Sequence, residues 1–417
     1  MSAQTGTNTA LLPDEHAIPN KWRTLILLSL AELLAMVVWF SASAVVPALT
    51  DVWGLDDSGK SWLTMSVQIG FVVGAFGSAV LTLADRIPAH RFFTVSTVLA
   101  GTLTLMIPLL ANDLPVALIL RFLTGVVLAG VYPVGMKLMT TWTRKDRGLS
   151  IGLLVGALAI GSATPHLLNV FGGVGNWKTV MILAAACAYS GALIGLLFIK
   201  EGPYKTKSPR FNWRDIGKIL RDREVMLANL GYLGHMWELY AMWSWMPSFL
   251  LASFALQGVS AEWASLVAFL VIAMGGAGSL LAGKFADTLG RTTMTTLSLV
   301  TSGICALLIG FFYGGNPILL SAVALFWGFA VVADSAQFSA CVSELAQSQY
   351  VGTALTLQTS MGFLLTLITI RLVPPIQSAV GWEWAFVFLA LGPMVGIWAM
   401  LTLRRSEAAI KLANGNR

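Results

Sequence analysis

The sequence predicts an all-α membrane protein: twelve transmembrane helices in two pseudo-symmetric six-helix bundles. Three observations carry that reading. Of 417 residues, 56% are hydrophobic and only 11% charged, with a mean hydropathy of +0.76, whereas a soluble chain carries about 25% charged residues. Apolar stretches of roughly 20 residues, enough to cross a hydrocarbon core about 30 Å thick, recur along the chain. One octapeptide returns near the midpoint.

The twelve stretches run over 22–48, 61–83, 92–111, 114–141, 148–170, 178–199, 225–252, 262–284, 293–313, 317–344, 351–374 and 381–403. The longest break, KEGPYKTKSPRFNWRDIGKILRDREV at 200–225, is polar and basic and divides the spans six and six. The domains expected are an N-terminal tail at 1–21, a first lobe at 22–199, a central loop at 200–224, a second lobe at 225–403 and a C-terminal tail at 404–417. The first 20 residues lack the basic start, apolar centre and small-residue cleavage site of a secretory signal and read as a disordered tail. The cysteines, Cys187, Cys305 and Cys341, all fall in apolar runs and read as small hydrophobes.

A net charge of +6 raises the question of nucleic acid, but the distribution of the basic residues answers it. With the N-terminus cytoplasmic, the inward loops and tails hold 22 of the 26 lysines and arginines, including Lys137, Arg144, Lys145 and Arg147 and the eight of the central loop. The outward loops keep Lys60 and Lys178, and Arg121 and Arg371 remain inside helices. That asymmetry places both termini in the cytoplasm. A bacterial inner membrane is the expected setting, and no nucleic-acid module is present.

The halves also resemble each other. ELLAMVVW at 32–39 and ELYAMWSW at 238–245 share five of eight positions at an offset of 206. Asp85 and Asp287 follow the second and eighth spans at an offset of 202, and Gly148 and Gly352 open the fifth and eleventh at 204. Three matches nearly in register read as an internal six-helix duplication.

The loop after the eighth span, GKFADTLGR, contains Gly283, Asp287, Gly290 and Arg291 in the pattern G-xxx-D-xx-GR. Its counterpart, LTLADRIPAHR, keeps Asp85, Arg86 and Arg91 but has Leu81 and Pro88 at the glycine positions. On these loops and the six-plus-six layout the chain resembles the major facilitator superfamily. Arg121 and Gly125 in RFLTGVVLAG match that family's fourth-helix signature, and Gly152, Gly161 and Pro165 match its antiporter signature only loosely. The resemblance implies a secondary active transporter with a central site between two lobes. Asp85, Arg86, Gly283, Asp287, Gly290 and Arg291 would form gating loops whose ion pairs latch one conformation; the alternative is that these charges only set topology.

Ionisable residues inside a membrane default to functional candidates. At 1.5 Å per residue, Glu32 lies about 15 Å from the cytoplasmic end of its span and Arg121 about 19 Å, near enough in depth to pair directly or through substrate; a static ion pair is the alternative. In the seventh span, GHMWELYAMWSW puts His235 and Glu238 on one face near mid-membrane. Glu32 and Glu238 read as proton-coupling carboxylates, with His235 as relay and Asp334 as a further candidate, though hydrogen bonding to a neighbouring helix would also explain them. Trp39 and Trp245, seven residues beyond the two glutamates, would shape a cavity for an organic solute. Gln337, three residues after Asp334, is a substrate contact or part of an internal network. Tyr132 joins the substrate candidates, and Tyr132, Pro133 and Lys137 lie near the inner gate. His235 and Glu238 alone do not make a metal site, since His16, His90 and His166 lie far off or at helix ends, and neither metal nor cofactor is expected.

The expected function is proton-coupled transport of a small solute, with Arg121 attracting an anionic group, in the manner of the superfamily's cyanate and nitrate-type branches. The alternative is a proton-driven exporter of lipophilic drugs, and a third reading is a sensor that binds without flux. No nucleophile motif, H-E-x-x-H helix or phosphate loop supports an enzyme. The expected partners are a small-molecule substrate, protons and the lipid bilayer, with the protein acting as a monomer.

Overall fold

The computed structural model describes residues 18–143, 147–173, 175–205 and 211–416. Most of the tail expected at 1–21, together with Arg144, Lys145 and Arg417, lies outside them. Among the described residues eleven helices are long and apolar enough to cross a membrane. They are α2 (Asp57–Leu81), α3 (Ala89–Leu110), α4 (Leu114–Thr140), α5 (Gly148–Phe171), α6 (Trp177–Phe198), α7 (Arg223–Leu256), α8 (Ala261–Leu289), α9 (Arg291–Phe312), α10 (Pro317–Leu345), α11 (Val351–Val380) and α12 (Val387–Arg404). The twelfth membrane element is α1 (Lys21–Met36), which is shorter because it unwinds over 37–42 before helical structure resumes at 43–45 and Val46–Trp53.

Polar side chains at the caps start several of these helices where an apolar run would otherwise leave free N–H groups. Asp56 accepts from the Gly59 N–H at 2.7 Å to open α2, Asp222 from Val225 at 3.1 Å to open α7, and Asn316 from Ile318 at 2.9 Å to open α10. The sharp turn from α8 to α9 rests on Gly290, whose φ of +91° is open chiefly to glycine.

The first six helices pack mainly on one another, with α2 against α4, α3 against α6, and α1 against α5 and α6. The last six do the same, α8 against α10 and α7 against α11 and α12. Between lipid-facing helices small residues decide how close backbones come. Gly70 and Gly74 of α2 lie where a Cβ would strike the backbone of Phe122 and Val126 in α4, while Gly77, further along the same helix, has open space around it.

Two seams join the halves. In the first, α5 and α8 run against each other with Gly148, Gly152 and Gly156 facing Gly283, Ser279 and Gly276. Ser279 Oγ donates to the Gly152 carbonyl at 3.3 Å. In the second, α2 meets α11, where Thr366 Oγ1 donates to Gln68 Oε1 at 2.7 Å.

The structure corrects several sequence expectations. The fourth and tenth spans are each interrupted, α4 at 129–131 and α10 at Asp334, positions one repeat offset apart. The last span begins helically at Val387 instead of 381, because 382–386 forms turns. The central loop includes a helix, Trp213–Ile219, capped by Asn212. The C-terminal tail forms a 3-10 segment, Glu407–Gly415, with Leu412 fully buried.

Candidate functional site

The unwound stretch of α1 leaves main-chain carbonyls without helical partners deep in an apolar setting, where such groups must find donors. Arg121 of α4 supplies them. Its Nη1 donates to Val38 O at 2.7 Å and to Ser41 Oγ at 3.4 Å, its Nη2 to Trp39 O, and its Nε to Leu63 O of α2 at 3.3 Å. The side chain is fully buried. The five fixed donors of a guanidinium suit several carbonyls at once. Glu32 is not among these partners: of the two pairings expected, direct or through substrate, the direct one is not formed, and Arg121 clamps main chain instead.

Glu32 is itself fully buried, and neither of its oxygens has a hydrogen-bond partner. Its Oε2 occupies the space left by Gly135 in the second half of α4, 2.6 Å from where a Cβ at that position would stand. Tyr132 opens that half-helix one turn earlier.

The repeat-equivalent Glu238 sits differently. Trp327 Nε1 of α10 donates to its Oε1 at 2.6 Å, and Ser302 Oγ of α9 donates to its Oε2 at 2.8 Å. His235, expected beside Glu238, is paired elsewhere: its Nδ1 lies 2.8 Å from Asp334 Oδ1 at the break in α10. The imidazole also sits against the rings of Tyr232 and Phe338, and its Nε2 has no partner. Gln337, one turn along α10, accepts from Arg291 Nη1 at 2.8 Å and so belongs to a charged cluster at the end of the helix.

In that cluster Arg291 makes a two-pronged bond to Glu344 at 2.6–2.9 Å and lies 3.1 Å from Asp287. The C-terminal segment closes over it: the Ala413 N–H donates to Glu344 Oε2 at 3.0 Å and Asn416 Nδ2 to Asp287 O at 2.8 Å. Gly283 lies inside the α5–α8 seam and Gly290 makes the turn. On the pseudo-symmetric side Asp85 pairs with Lys137 at 2.5 Å, while Arg86 ends a short helix, Leu83–Arg86, exposed.

At the opposite end of the molecule a cavity of about 290 Å³ opens between the halves, lined by Thr50, Asp57, Lys60, Trp245, Gln377 and Trp382 among others. Trp245 is fixed by its Nε1 donating to Ile370 O at 2.9 Å. Below it the interior is filled by rings from both halves. Trp39 packs edge-on to Phe71 with centroids 5.0 Å apart and 5.6 Å from Phe363, and Tyr240 lies 5.1 Å from Phe363. Trp39 and Trp245, equivalent by repeat, thus occupy different levels.

Sequence reasoning missed Gln68, Phe71, Tyr240, Phe363, Ser302, Trp327 and Glu344. Glu344 carried a usable signal, an acid ending α10 near the basic end. The others are neutral residues in apolar runs, recognisable only once the helices are placed side by side.

The sequence pattern of the Major Facilitator Superfamily matches residues 28–370. The chain is 26% identical over 189 residues to the 4-hydroxybenzoate transporter PcaK of Pseudomonas aeruginosa, 44% of this chain and 41% of that one. It is 22% identical over 285 residues to a protein of Cupriavidus necator named as a probable sulfoacetate transporter, 62% and 63% of the two chains. The chain spans about half the length of the curated relatives it matches. Its fold is similar to that of a bacterial homologue of the human lysosomal transporter Spinster, with a TM-score of 0.70 at 14% identity over 93% of this chain and 98% of that one. Helices, loop motif and sequence pattern agree, and the chain belongs to the Major Facilitator Superfamily.

Proposed function

We propose that the protein is a secondary active transporter that moves a small organic anion across a bacterial inner membrane by alternating access coupled to protons. The observation that carries the reading is Glu32: a fully buried carboxyl group with no partner for either oxygen, on α1 against the second half of α4. An isolated ionised carboxylate in such a place is costly, so the group is suited to taking up and releasing a proton as its surroundings change. Glu238, held by two donors, and the His235–Asp334 pair complete a chain of acid–base groups in the other half. Transport of 4-hydroxybenzoate and sulfoacetate, as the names of two relatives state, supports an organic anion. The end carrying the basic loops is the cytoplasmic one, and the charged clusters around Asp85 and Arg291 act there as gate latches.

One observation favours the second reading, a proton-driven exporter of lipophilic compounds: Arg121 is engaged with carbonyls, which leaves the centre without a free arginine or lysine among the described residues. Proteoliposome flux separates the two. Uptake of labelled 4-hydroxybenzoate or sulfoacetate driven by an inward proton gradient, abolished by a protonophore and lost in Glu32→Gln, is the expected result. Gradient-driven extrusion of lipophilic dyes with no anion flux would replace the anion reading with the exporter, and flux indifferent to the proton gradient would remove the coupling.

A further inference from the structure

Buried donors in a folded protein nearly always have partners, so an unpaired group calls for an explanation. Gln68 and Trp39 carry two such groups at the centre. Gln68 is fully buried at the α2–α11 seam; its Oε1 lies 2.7 Å from Thr366 Oγ1, whose one proton it shares with the Phe363 carbonyl, also at 2.7 Å, and its Nε2 has no partner. Trp39 is 3% exposed and its indole Nε1 is unpartnered as well.

Their surroundings are aromatic. Gln68 and Phe71 are one turn apart on α2, and Thr366 and Phe363 one turn apart on α11, so the amide stands directly above the Phe71–Phe363 contact, whose centroids are 4.8 Å apart. Trp39 touches both of those rings, and Tyr240 touches Trp39 and Phe363. Along α7 the cluster lies about 8 Å below the Trp245 floor of the 290 Å³ cavity, from the five residues separating Tyr240 and Trp245.

We infer that this cluster is the seat of the transported anion and selects a planar aromatic carboxylate: the ring enters between Trp39, Phe71, Tyr240 and Phe363, and the carboxylate takes the free N–H groups of Gln68 and Trp39. The inference rests on the anion-transport reading and narrows it. Aromatic faces prefer offset or edge-on partners, which a flat ring provides and a puckered one does not. Neutral donors hold the carboxylate without a buried cation. That leaves Arg121 to its carbonyls and makes release toward either side easier than from a charged clamp. The rings come from α1 and α2 of one half and α7 and α11 of the other, so a bound solute touches both moving parts.

Calorimetric titration of the purified protein tests this apart from flux. The ligands are 4-hydroxybenzoate, cyclohexanecarboxylate of similar size without the flat ring, and sulfoacetate. The expected result is binding of 4-hydroxybenzoate at least about 10-fold tighter than of either other acid. Gln68→Leu and Trp39→Phe should each weaken it by about 10-fold, the value of a hydrogen bond to a charged group. Phe71→Leu, which keeps apolar bulk, should erase the preference over cyclohexanecarboxylate. Equal affinity for the flat and puckered acids, or wild-type affinity in both donor variants, overturns the inference. Proton-driven sulfoacetate uptake by a protein that binds no aromatic acid would overturn it while leaving anion transport intact. Selective 4-hydroxybenzoate binding without any flux would uphold the site and remove the transport reading.

Discussion

Gly283→Ala tests whether the α5–α8 seam governs which side of the protein is closed. A Cβ at position 283 would stand 2.8 Å from the Gly148 carbonyl oxygen, and one at Gly148 would stand 2.8 Å from the Gly283 oxygen. Ordinary contact begins near 3.4 Å, so α5 and α8 must part by several tenths of an ångström, and both obstacles are main chain that no rotamer change can clear. Overpacking of this size costs about 1–3 kcal/mol. The penalty falls only on conformations in which the two helices touch at the basic end. At about 1.4 kcal/mol per factor of ten, 2 kcal/mol moves the equilibrium roughly 30-fold toward conformations separated at that end. The assay is a pulsed electron–electron resonance distance between nitroxides at Ile87→Cys and Thr288→Cys, both exposed and one in each half. Alanine at 283 should convert a minor longer-distance population into the major one, whereas Gly77→Ala, with nothing within 4 Å of its Cβ, should leave the distribution unchanged. A lower melting temperature with an unaltered distance distribution would refute the reasoning, because the seam would then be packing without a role in the conformational equilibrium.

Three further outcomes are expected. Gly135→Ala places a Cβ 2.6 Å from Glu32 Oε2 and should displace that carboxyl, so that gradient-driven uptake in proteoliposomes falls at least about 10-fold while binding of the solute, measured by calorimetry, persists. Trp327→Phe removes one of the two donors to Glu238 and should destabilise the protein by about 1–3 kcal/mol in denaturant unfolding, with Ser302→Ala adding less than the sum because the two share one acceptor. Glu201, just beyond α6, is held below its ordinary value of 4.5: partial burial pushes it up, but hydrogen bonds from Lys205 and from the Ala89 N–H at the start of α3 outweigh that. Its stabilising contribution is therefore complete above about pH 4.5 and fades as pH falls through the lowered value, and Glu201→Gln should flatten that part of the thermal-stability profile by less than about 1 kcal/mol.

How far the sequence could be read follows from the range of each interaction. The spans are local: a run of apolar residues between polar caps marks a helix whatever surrounds it, and α2 to α11 fall within several residues of their expected places. The break in α1 was not legible, because VVWFSASA is as apolar as the helix before it and lacks a proline until Pro47. The unwinding is sustained by Arg121, a residue of another helix. The His235–Asp334 approach and the engagement of Gln337 by Arg291 depend likewise on how α7, α9 and α10 sit side by side. Spacing along one helix suggested His235 with Glu238, since three residues is a helical neighbour distance, but the indole of Trp327 and the hydroxyl of Ser302 reach that glutamate instead. The aromatic centre was half visible: Trp39 stood out, while Phe71, Tyr240 and Phe363 were ordinary residues of ordinary spans.

The glycine face shared by α5 and α8 also bears on how smoothly the two halves can move. Where leucines interdigitate, sliding one helix past another requires each knob to leave its hole and side chains to change rotamer, and the movement proceeds in discrete jumps. Gly148, Gly152 and Gly156 meet Gly276, Ser279 and Gly283 at close backbone approach, with the Ser279 hydroxyl bonded to the Gly152 carbonyl and no large side chain among these six positions. Such a contact behaves as a plain bearing, with a shallow and nearly continuous energy profile, so under the proposed alternating access the temperature dependence of lobe movement should be set by the ion pairs at the basic end and the rings at the centre, and very little by this seam.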